Sequence, residues 1–206
     1  MPDVNPADTL RSLLQRPSPD AAEIRALLDG LSLADTITAV RALSGTKLQG
    51  ALWRAAAANA TITVADLVPT DHPVMKPVVF HGKNSLPAFS NFQKICFRPR
   101  PAEFSHMLWG YNETSIRNII GPGYYVVHDT PGDTLGGAAF DYREIPGDRL
   151  PSWPEIRPND IGLSRFIYNG TVDFMRRVSN IVFIGSATRL HRELGSYFVL
   201  ARQLDT

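Results

Sequence analysis

The C-terminal part of the chain constrains the fold most strongly. After residue 165, four apolar segments rich in β-branched and aromatic residues follow one another at close spacing, at residues 166–168, 172–178, 181–185 and 197–202. Short turns between such segments are typical of consecutive antiparallel strands. Because an apolar last strand must be paired and covered, we expect it to close a sheet or barrel that begins near Pro77.

Further strands are predicted between Pro77 and this region. Their β-branched or aromatic content and turn-bounded spacing place them at residues 78–80, 92–97, 107–111, 124–128 and 138–142. Residues 145–158 are rich in proline and contain Trp153. Since proline removes hydrogen bonds from a central strand, we predict a long loop packed over the barrel surface or its mouth.

The first third of the chain has a helical pattern. One helix is predicted to start at the Ser18-Pro19-Asp20 sequence and to end at Gly30, and a second runs from Ser32 to Gly45. A third starts at Thr46, and residues 9–15 form one or two earlier turns. Helices this short and narrowly amphipathic are not stable alone, so we expect them to pack on each other or cap the barrel.

These patterns together predict an α+β protein. A helical N-terminal region, residues 1–63, packs on an antiparallel β-barrel, residues 64–206, and the barrel forms one compact unit. The boundary is placed near Val64, because Pro69, Pro73 and Pro77 indicate an irregular crossing segment there.

Composition excludes several classes of partner. The formal net charge of +1 offers no concentrated basic surface, so nucleic acid is not expected as a partner. No apolar run is long enough to span a membrane and the start lacks a signal-peptide pattern, which favours the cytoplasm. The single cysteine, Cys96, excludes an internal disulfide and suits a reducing compartment. Nothing in the sequence indicates an oligomeric state.

No motif of high specificity indicates a cofactor. His81-Gly-Lys-Asn-Ser85 lacks the earlier glycine of a phosphate-binding loop, since Lys76 stands at that position. The five histidines form no pair at metal-binding helical spacing, and neighbours such as His128 and Asp129 point to opposite faces of a strand. We therefore predict no metal site and no cofactor, while a single histidine could still ligate a haem iron.

Polar groups embedded among aromatic residues are the candidate site. We select five residues as ligand-binding candidates: His81, Lys83, Tyr111, Arg165 and Tyr168. Side chains alternate between the inside and outside of a barrel, so a set that includes Tyr168 would form an aromatic pocket with a few hydrogen-bonding groups.

A resemblance to a known family adds to this interpretation. The landmarks are Gly50-Ala-Leu-Trp53-Arg, His72-Pro73, Gly82-Lys83, the segment at residues 168–176, and Gly185 before the final strand. In this order they resemble the small barrel proteins named for a Gly-x-Trp-x-Gly motif, a family of unsettled function, most clearly in the C-terminal quarter. The resemblance implies a lipocalin-like barrel and an apolar ligand, and it transfers no catalytic residues.

We therefore predict that the barrel binds a small, largely apolar molecule. One alternative is an enzyme on the same barrel, a metal-independent isomerase, cyclase or hydratase in which His81 or Asp173 moves a proton. The other alternative is a protein-interaction module, in which the apolar face of the N-terminal helices, including Leu28, Val40 and Leu43, docks a partner instead of the barrel.

Overall fold

The computed structural model describes residues 5–87, 90–100 and 102–204. Within these residues it has seven α-helices, a short 3-10 turn and eight β-strands. The helices are α1 (Pro6–Leu14), α2 (Ala21–Asp29), α3 (Leu33–Arg41), α4 (Thr46–Ala56), α5 (Val64–Leu67), α6 (Arg117–Ile120) and α7 (Ser164–Ile167), and the 3-10 turn is Ala102–Phe104. The strands are β1 (Val78–Asn84), β2 (Asn91–Phe97), β3 (Leu108–Glu113), β4 (Tyr125–Asp129), β5 (Ala138–Asp141), β6 (Thr171–Arg177), β7 (Val182–Arg189) and β8 (Arg192–Gln203).

The eight strands form a closed antiparallel barrel in chain order. Each strand pairs with the next, and β8 returns to pair with β1, with Val79 opposite Gln203 and Asn84 opposite Phe198. The predicted α+β class and the closure of the barrel by the last strand are therefore confirmed. In the described part of the chain, no helix has both the length and the apolar character needed to cross a membrane.

The barrel interior is filled with large apolar side chains. Alternation along each strand directs Phe80 of β1, Phe140 of β5 and Phe183 of β7 inward, where they are fully buried in one cluster. Helix α5 adds Val64 and Leu67 to this cluster. It lies at the barrel end where β8 finishes, because Arg202 of β8 donates hydrogen bonds to main-chain oxygens of α5.

The N-terminal helices pack on the outer face of β6, β7 and β8. Leu28, Val40 and Leu43 are buried in one apolar cluster with Val199 and Ala201, which alternate with the inward-facing residues of β8. The barrel of the same chain therefore covers the helical face that the protein-interaction alternative assigned to a partner. Helix α2 begins two positions later than the Ser18-Pro19 pair predicts, because Asp20 and not Ser18 is the N-cap.

Arg176 links this helical layer to the barrel. Its guanidinium lies 3.8 Å from the centroid of the Trp53 ring in α4 and donates a hydrogen bond of 2.9 Å to the Trp53 carbonyl oxygen. A second hydrogen bond of 3.0 Å goes to the carbonyl oxygen of Leu135. A planar, multidentate cation suits a position where an aromatic face and main-chain oxygens converge.

The long loop at residues 145–158 covers a second outer face of the barrel. Trp153 of this loop is buried against Phe97 and Tyr111, at ring-centroid distances of 4.8 and 4.9 Å. The hydroxyl of Tyr124 donates a 2.5 Å hydrogen bond to the Pro154 carbonyl oxygen. The prediction that this proline-rich segment packs over the barrel surface is thereby confirmed.

One predicted strand is wrong. Residues 166–168 belong to the short helix α7 and its C-terminal cap, in which the amide of Tyr168 donates to the carbonyl oxygen of Ser164. The Ser164 hydroxyl donates a further hydrogen bond of 2.7 Å to Ile120, so a tertiary contact fixes this turn. Gly170 then has a φ of 72°, a left-handed conformation that turns the backbone from α7 into β6.

Candidate functional site

A cavity of about 550 Å³ opens at the barrel end opposite α5. Its walls combine inward-facing strand residues with the segments that connect the strands at that end. The lining includes Phe92, Lys94, Asn112, Tyr142, Phe166, Tyr168, Asp173, Ala187, Arg189, Leu194 and Phe198. A largely apolar cavity with a few converging polar groups is the usual form of a small-molecule site.

Lys94 of β2 is the most unusual residue of this cavity. Its side chain is only 1% exposed, although lysine is almost never fully buried unless paired. Five aromatic rings surround its Nζ at centroid distances between 4.6 and 5.9 Å; they belong to Phe92, Tyr125, Phe140, Tyr142 and Phe198. The rings offer the ammonium favourable cation–π contacts in place of water.

Three oxygen acceptors complete the surroundings of the amine. The Nζ of Lys94 lies 3.1 Å from Oδ1 of Asn112 and 3.4 Å from Oδ2 of Asp173, and it also donates to the hydroxyl of Tyr142. The Asn112 side-chain amide in turn donates to the carbonyl oxygen of Gly123 at 2.8 Å. An ammonium has three N–H donors, so its hydrogen-bonding capacity matches the three acceptors.

Glycines in neighbouring strands make room for the rings. A Cβ at Gly82 would lie 2.7 Å from the ring of Phe92, and a Cβ at Gly185 would lie 2.1 Å from the ring of Phe198. In each pair the two residues face each other across adjacent strands. The sequence therefore places the smallest residue opposite the largest one, and this allows aromatic rings to close around Lys94.

Burial shifts the acid-base properties of the pair. Burial lowers the pKa of Lys94 to about 8, against the opposing effect of the negative charge of Asp173. Burial also raises the pKa of Asp173, which the charge of Lys94 and the hydrogen bonds from Lys94 and Tyr142 oppose. The pKa of Tyr142 is raised well above its ordinary value for the same reason, so its hydroxyl stays protonated.

Two of the sequence candidates lie in the cavity. Tyr168 lines it, and its ring stacks on Tyr142 at a centroid distance of 5.2 Å. Asp173, a catalytic candidate, faces Lys94 from β6. Tyr168 reaches the cavity from the C-terminal end of α7 rather than from a strand, and Phe166 of the same helix joins it there.

The structure places the other four candidates outside this cavity. His81 lies on the outer face of β1, where its Nε2 is 2.7 Å from Oε1 of Gln203. Lys83 is on the same face, and its ammonium donates to the hydroxyl of Ser90 at 2.6 Å. Tyr111 belongs to the aromatic cluster beneath Trp153, and the guanidinium of Arg165 lies over the ring of Phe166 at 4.7 Å.

Sequence reasoning missed Lys94, Asn112 and Tyr142. The relevant signal is present in β2, where Phe92, Lys94 and Cys96 occupy alternate positions and so share one face. A lysine in an otherwise apolar inward-facing set indicates a buried charge. Cys96 is also buried, and burial raises the pKa of its thiol to about 12, which is typical of an unreactive cysteine.

A second polar cluster lies outside the cavity. Ligand atoms of His128, Asp141 and Glu144 lie within 4.8 Å of one another, a spacing that could hold a metal ion. The guanidinium of Arg143, however, already makes a 2.5 Å ion pair with Asp141 and a second hydrogen bond of 2.9 Å. Because the guanidinium of Arg143 occupies Asp141, the buried one of the two carboxylates, the cluster is better explained as an ion-pair network.

The chain matches no protein-family model, no curated protein and no solved structure in the comparisons made with them. The candidate function therefore depends on the chemistry of the cavity. That chemistry comprises a desolvated amine, a carboxyl group, a tyrosine hydroxyl and an amide oxygen at the inner end of a largely apolar space.

Proposed function

We propose that the barrel binds a small, largely apolar molecule that carries an uncharged polar group. The observation that carries the proposal is the convergence of Lys94, Asn112, Tyr142 and Asp173 on one point of a largely apolar cavity of about 550 Å³. Such a volume is within the range of pockets that enclose small organic ligands. The aromatic walls would cover the body of the ligand, and the polar cluster would orient its polar group.

The charge balance of the cluster favours an uncharged polar group. Lys94 and Asp173 contribute one positive and one negative charge, so the pair is neutral as a whole. Because the two charges largely cancel, a ligand carboxylate or ammonium would gain little net attraction from the pair and would still lose its hydration. A carbonyl or hydroxyl group loses less hydration and can exchange hydrogen bonds with the cluster.

The mouth of the cavity favours an apolar ligand body. Four apolar side chains of the lining are exposed to solvent: Leu86, Phe166, Ile167 and Leu194. Phe166 is 65% exposed, a large fraction for a phenyl ring. Contiguous exposed apolar surface is typical of ligand-binding and interaction sites. These side chains would extend the apolar contact of a bound molecule beyond the barrel strands.

The proposal predicts a specific order of affinities. Isothermal titration calorimetry with decanol, decanoate and decylamine should give the tightest binding for decanol. If decanoate binds most tightly instead, the polar end of the ligand faces Arg189 at the mouth, and the proposal that this end is uncharged is wrong. If none of the three binds, the container function itself fails.

A matched pair of substitutions tests the position of the site. Ala187→Trp fills the cavity from β7, so decanol binding should weaken about tenfold or more, which corresponds to about 1.4 kcal/mol. Ala34→Trp introduces the same side chain at an exposed position of α3 and should leave the affinity unchanged. Equal affinities for the two variants would place the binding site elsewhere.

A second candidate function is general acid-base catalysis in the same cavity. The observation in its favour is that burial moves the pKa values of Lys94 and Asp173 towards each other, as in sites that transfer protons near neutral pH. Asp173 would remove a proton next to a carbonyl group. His81, the other sequence candidate, lies on the outer face of the barrel and would not contact this substrate.

Hydrogen exchange distinguishes catalysis from binding alone. In deuterated buffer, the protein should accelerate exchange of the α-hydrogens of 2-decanone, measured by NMR. Asp173→Asn should abolish the acceleration, and His81→Gln should not change it. No acceleration by the wild-type protein, with binding of 2-decanone retained, would reject the catalytic candidate and leave the container function.

Two further expectations from the sequence, the family resemblance and the cellular compartment, are compatible with this proposal. The resemblance to the small Gly-x-Trp-x-Gly barrel proteins agrees with an apolar ligand in a barrel. The cytoplasm stays the expected compartment, since the one cysteine is a buried free thiol.

A further inference from the structure

We infer that Lys94 forms a covalent imine with a carbonyl group of the bound molecule, so that the ligands of this cavity are apolar aldehydes or ketones. The inference rests on the proposed function, because the cavity must first admit the molecule. It goes beyond binding because it assigns Lys94 the role of a nucleophile and names the functional group that the ligand must carry.

The position of Lys94 differs from that of the other lysines. The chain has only four lysines, at positions 47, 76, 83 and 94. Lys94 lines the cavity, whereas Lys47 is exposed on α4 and Lys83 lies on the outer face of β1. Among the described residues, Lys94 is therefore the lysine that a carbonyl compound in this cavity meets, at the point where the polar cluster holds its oxygen.

The groups around Lys94 can carry the protons of imine formation. The ammonium first gives a proton to the carboxylate of Asp173, 3.4 Å away. The free amine then attacks the carbonyl carbon, the C=O π bond opens, and the proton that the nitrogen loses moves to the carbonyl oxygen to give a neutral carbinolamine. Asp173 then returns its proton to the carbinolamine hydroxyl, which leaves as water. The product is a protonated imine whose positive charge is balanced by the Asp173 carboxylate, and its C=N bond forms without oxidation or reduction.

Tyr142 and Asn112 hold the reacting atoms during these steps. The Tyr142 hydroxyl contacts the Lys94 Nζ and can donate a hydrogen bond to the developing carbinolamine oxygen. Asn112 Oδ1, 3.1 Å from Nζ, accepts a hydrogen bond from the amine and fixes its direction. The surrounding rings limit water around the product, which slows hydrolysis of the imine.

The protonation state of Lys94 supports the same conclusion. Burial lowers the pKa of this lysine from 10.5 to about 8. At neutral pH the fraction of free amine is then larger by about two orders of magnitude than for a lysine with the ordinary pKa. Only the free amine attacks a carbonyl, so Lys94 is expected to react faster than solvent-exposed lysines.

A purely structural ion pair would be a weak explanation for this arrangement. A buried pair between a lysine and an aspartate contributes little stability compared with apolar residues of similar size, because both charges lose their hydration. Here the pair also lies at the wall of a cavity instead of within a solid core, so a carbonyl group in the cavity can approach it.

Reductive trapping tests the inference. The wild-type protein is incubated with decanal and sodium cyanoborohydride at neutral pH, and the modified lysines are identified by peptide mapping with mass spectrometry. We expect one decyl group on Lys94, incorporated about tenfold or more faster than on Lys83. A parallel titration with decanol, which cannot form an imine, measures non-covalent binding in the same cavity.

The outcomes separate the two proposals. Alkylation of Lys94 that excess decanol suppresses supports the imine. Decanol binding without alkylation of Lys94, or with alkylation confined to the other three lysines, overturns the imine and leaves the container function intact. If decanol does not bind and Lys94 is not modified, both proposals fail. Because mapping of the wild-type protein identifies the modified lysine, the test does not depend on the folding of a Lys94→Met variant. In the variant Lys83→Met, modification of Lys94 should be unchanged.

Discussion

Replacement of Lys94 by methionine should destabilise the protein by an amount that depends on pH. Lys94→Met keeps a flexible side chain of similar length among the aromatic rings but removes the positive charge beside Asp173. Asp173 is buried, and burial already raises its pKa. Without Lys94, the carboxyl group of the folded protein has no cationic partner at this contact and should take up a proton instead.

The ordinary pKa of aspartate and the pH set the size of this effect. An aspartate that must be protonated in the folded state at pH 7, starting from an ordinary pKa of 3.8, destabilises folding by about 4 kcal/mol. At pH 5 the same protonation costs only roughly 1.5 kcal/mol. The sign follows from linkage: the folded pKa is raised, so the folded state holds more protons than the unfolded state, and its stability falls as the pH rises above 3.8.

Urea denaturation followed by tryptophan fluorescence measures this difference. At pH 7 the variant Lys94→Met should have a lower free energy of unfolding than the wild type by about 4 kcal/mol, and this deficit should decrease by about 2 to 3 kcal/mol at pH 5. The double variant Lys94→Met/Asp173→Leu should lose most of the pH dependence and recover much of the stability. Lys83→Met, on the outer face, should change the free energy of unfolding by less than about 0.5 kcal/mol. A deficit for Lys94→Met that is equal at both pH values would refute the assigned role of Asp173.

Three further predictions concern the barrel and its helical layer. Gly110→Ala places a Cβ 2.4 Å from a main-chain oxygen, so it should destabilise the fold by about 1–3 kcal/mol in urea denaturation, whereas Gly30→Ala, with no atom nearer than 3.4 Å, should change stability little. Arg176→Met removes the guanidinium that binds α4 and should lower the free energy of unfolding by roughly 2 kcal/mol; a change near zero would show that the helices dock without it. His128→Gln tests a pH effect, because the hydrogen bond to Asp141 raises the pKa of His128. The wild type should therefore gain less than about 1 kcal/mol of stability below pH 6.5, and should lose it as the pH rises through the raised pKa. The variant should lack this pH dependence.

Much of the fold was predictable because its signals are local. Turn-bounded apolar segments identified all eight strands, and signals such as the Ser32 cap identified the four N-terminal helices, whereas the short helices α5, α6 and α7 were not predicted. The prediction failed at residues 166–168, where three residues with strand-like composition form a helix held by contacts of Ser164 and Tyr168. A segment this short carries too little local preference to oppose its tertiary contacts.

The candidate site was less predictable because it depends on which face of each strand points inward. His81 and Lys83 were selected for their chemistry, yet they lie on the same outer face of β1, since Phe80 and Gly82 point inward. A register shift of one residue exchanges the inner and outer faces of a strand, and composition alone does not fix the register. The pairing of Lys94 with Asp173 also joins residues far apart in the chain, which no local pattern indicates.

The pairing of β1 with β8 has a consequence for how the protein folds. Val79 and Gln203 are neighbours across this seam, although nearly the whole barrel sequence separates them. During synthesis on the ribosome, β1 therefore emerges long before β8. The backbone hydrogen-bonding groups on one edge of β1 stay unpaired until β8 is available. Contacts between such distant residues slow folding, since a large loop must close before they form. We expect barrel closure to be a late, rate-limiting step and an aggregation-sensitive one, in which chaperones that shield unpaired strand edges would raise the yield of folded protein.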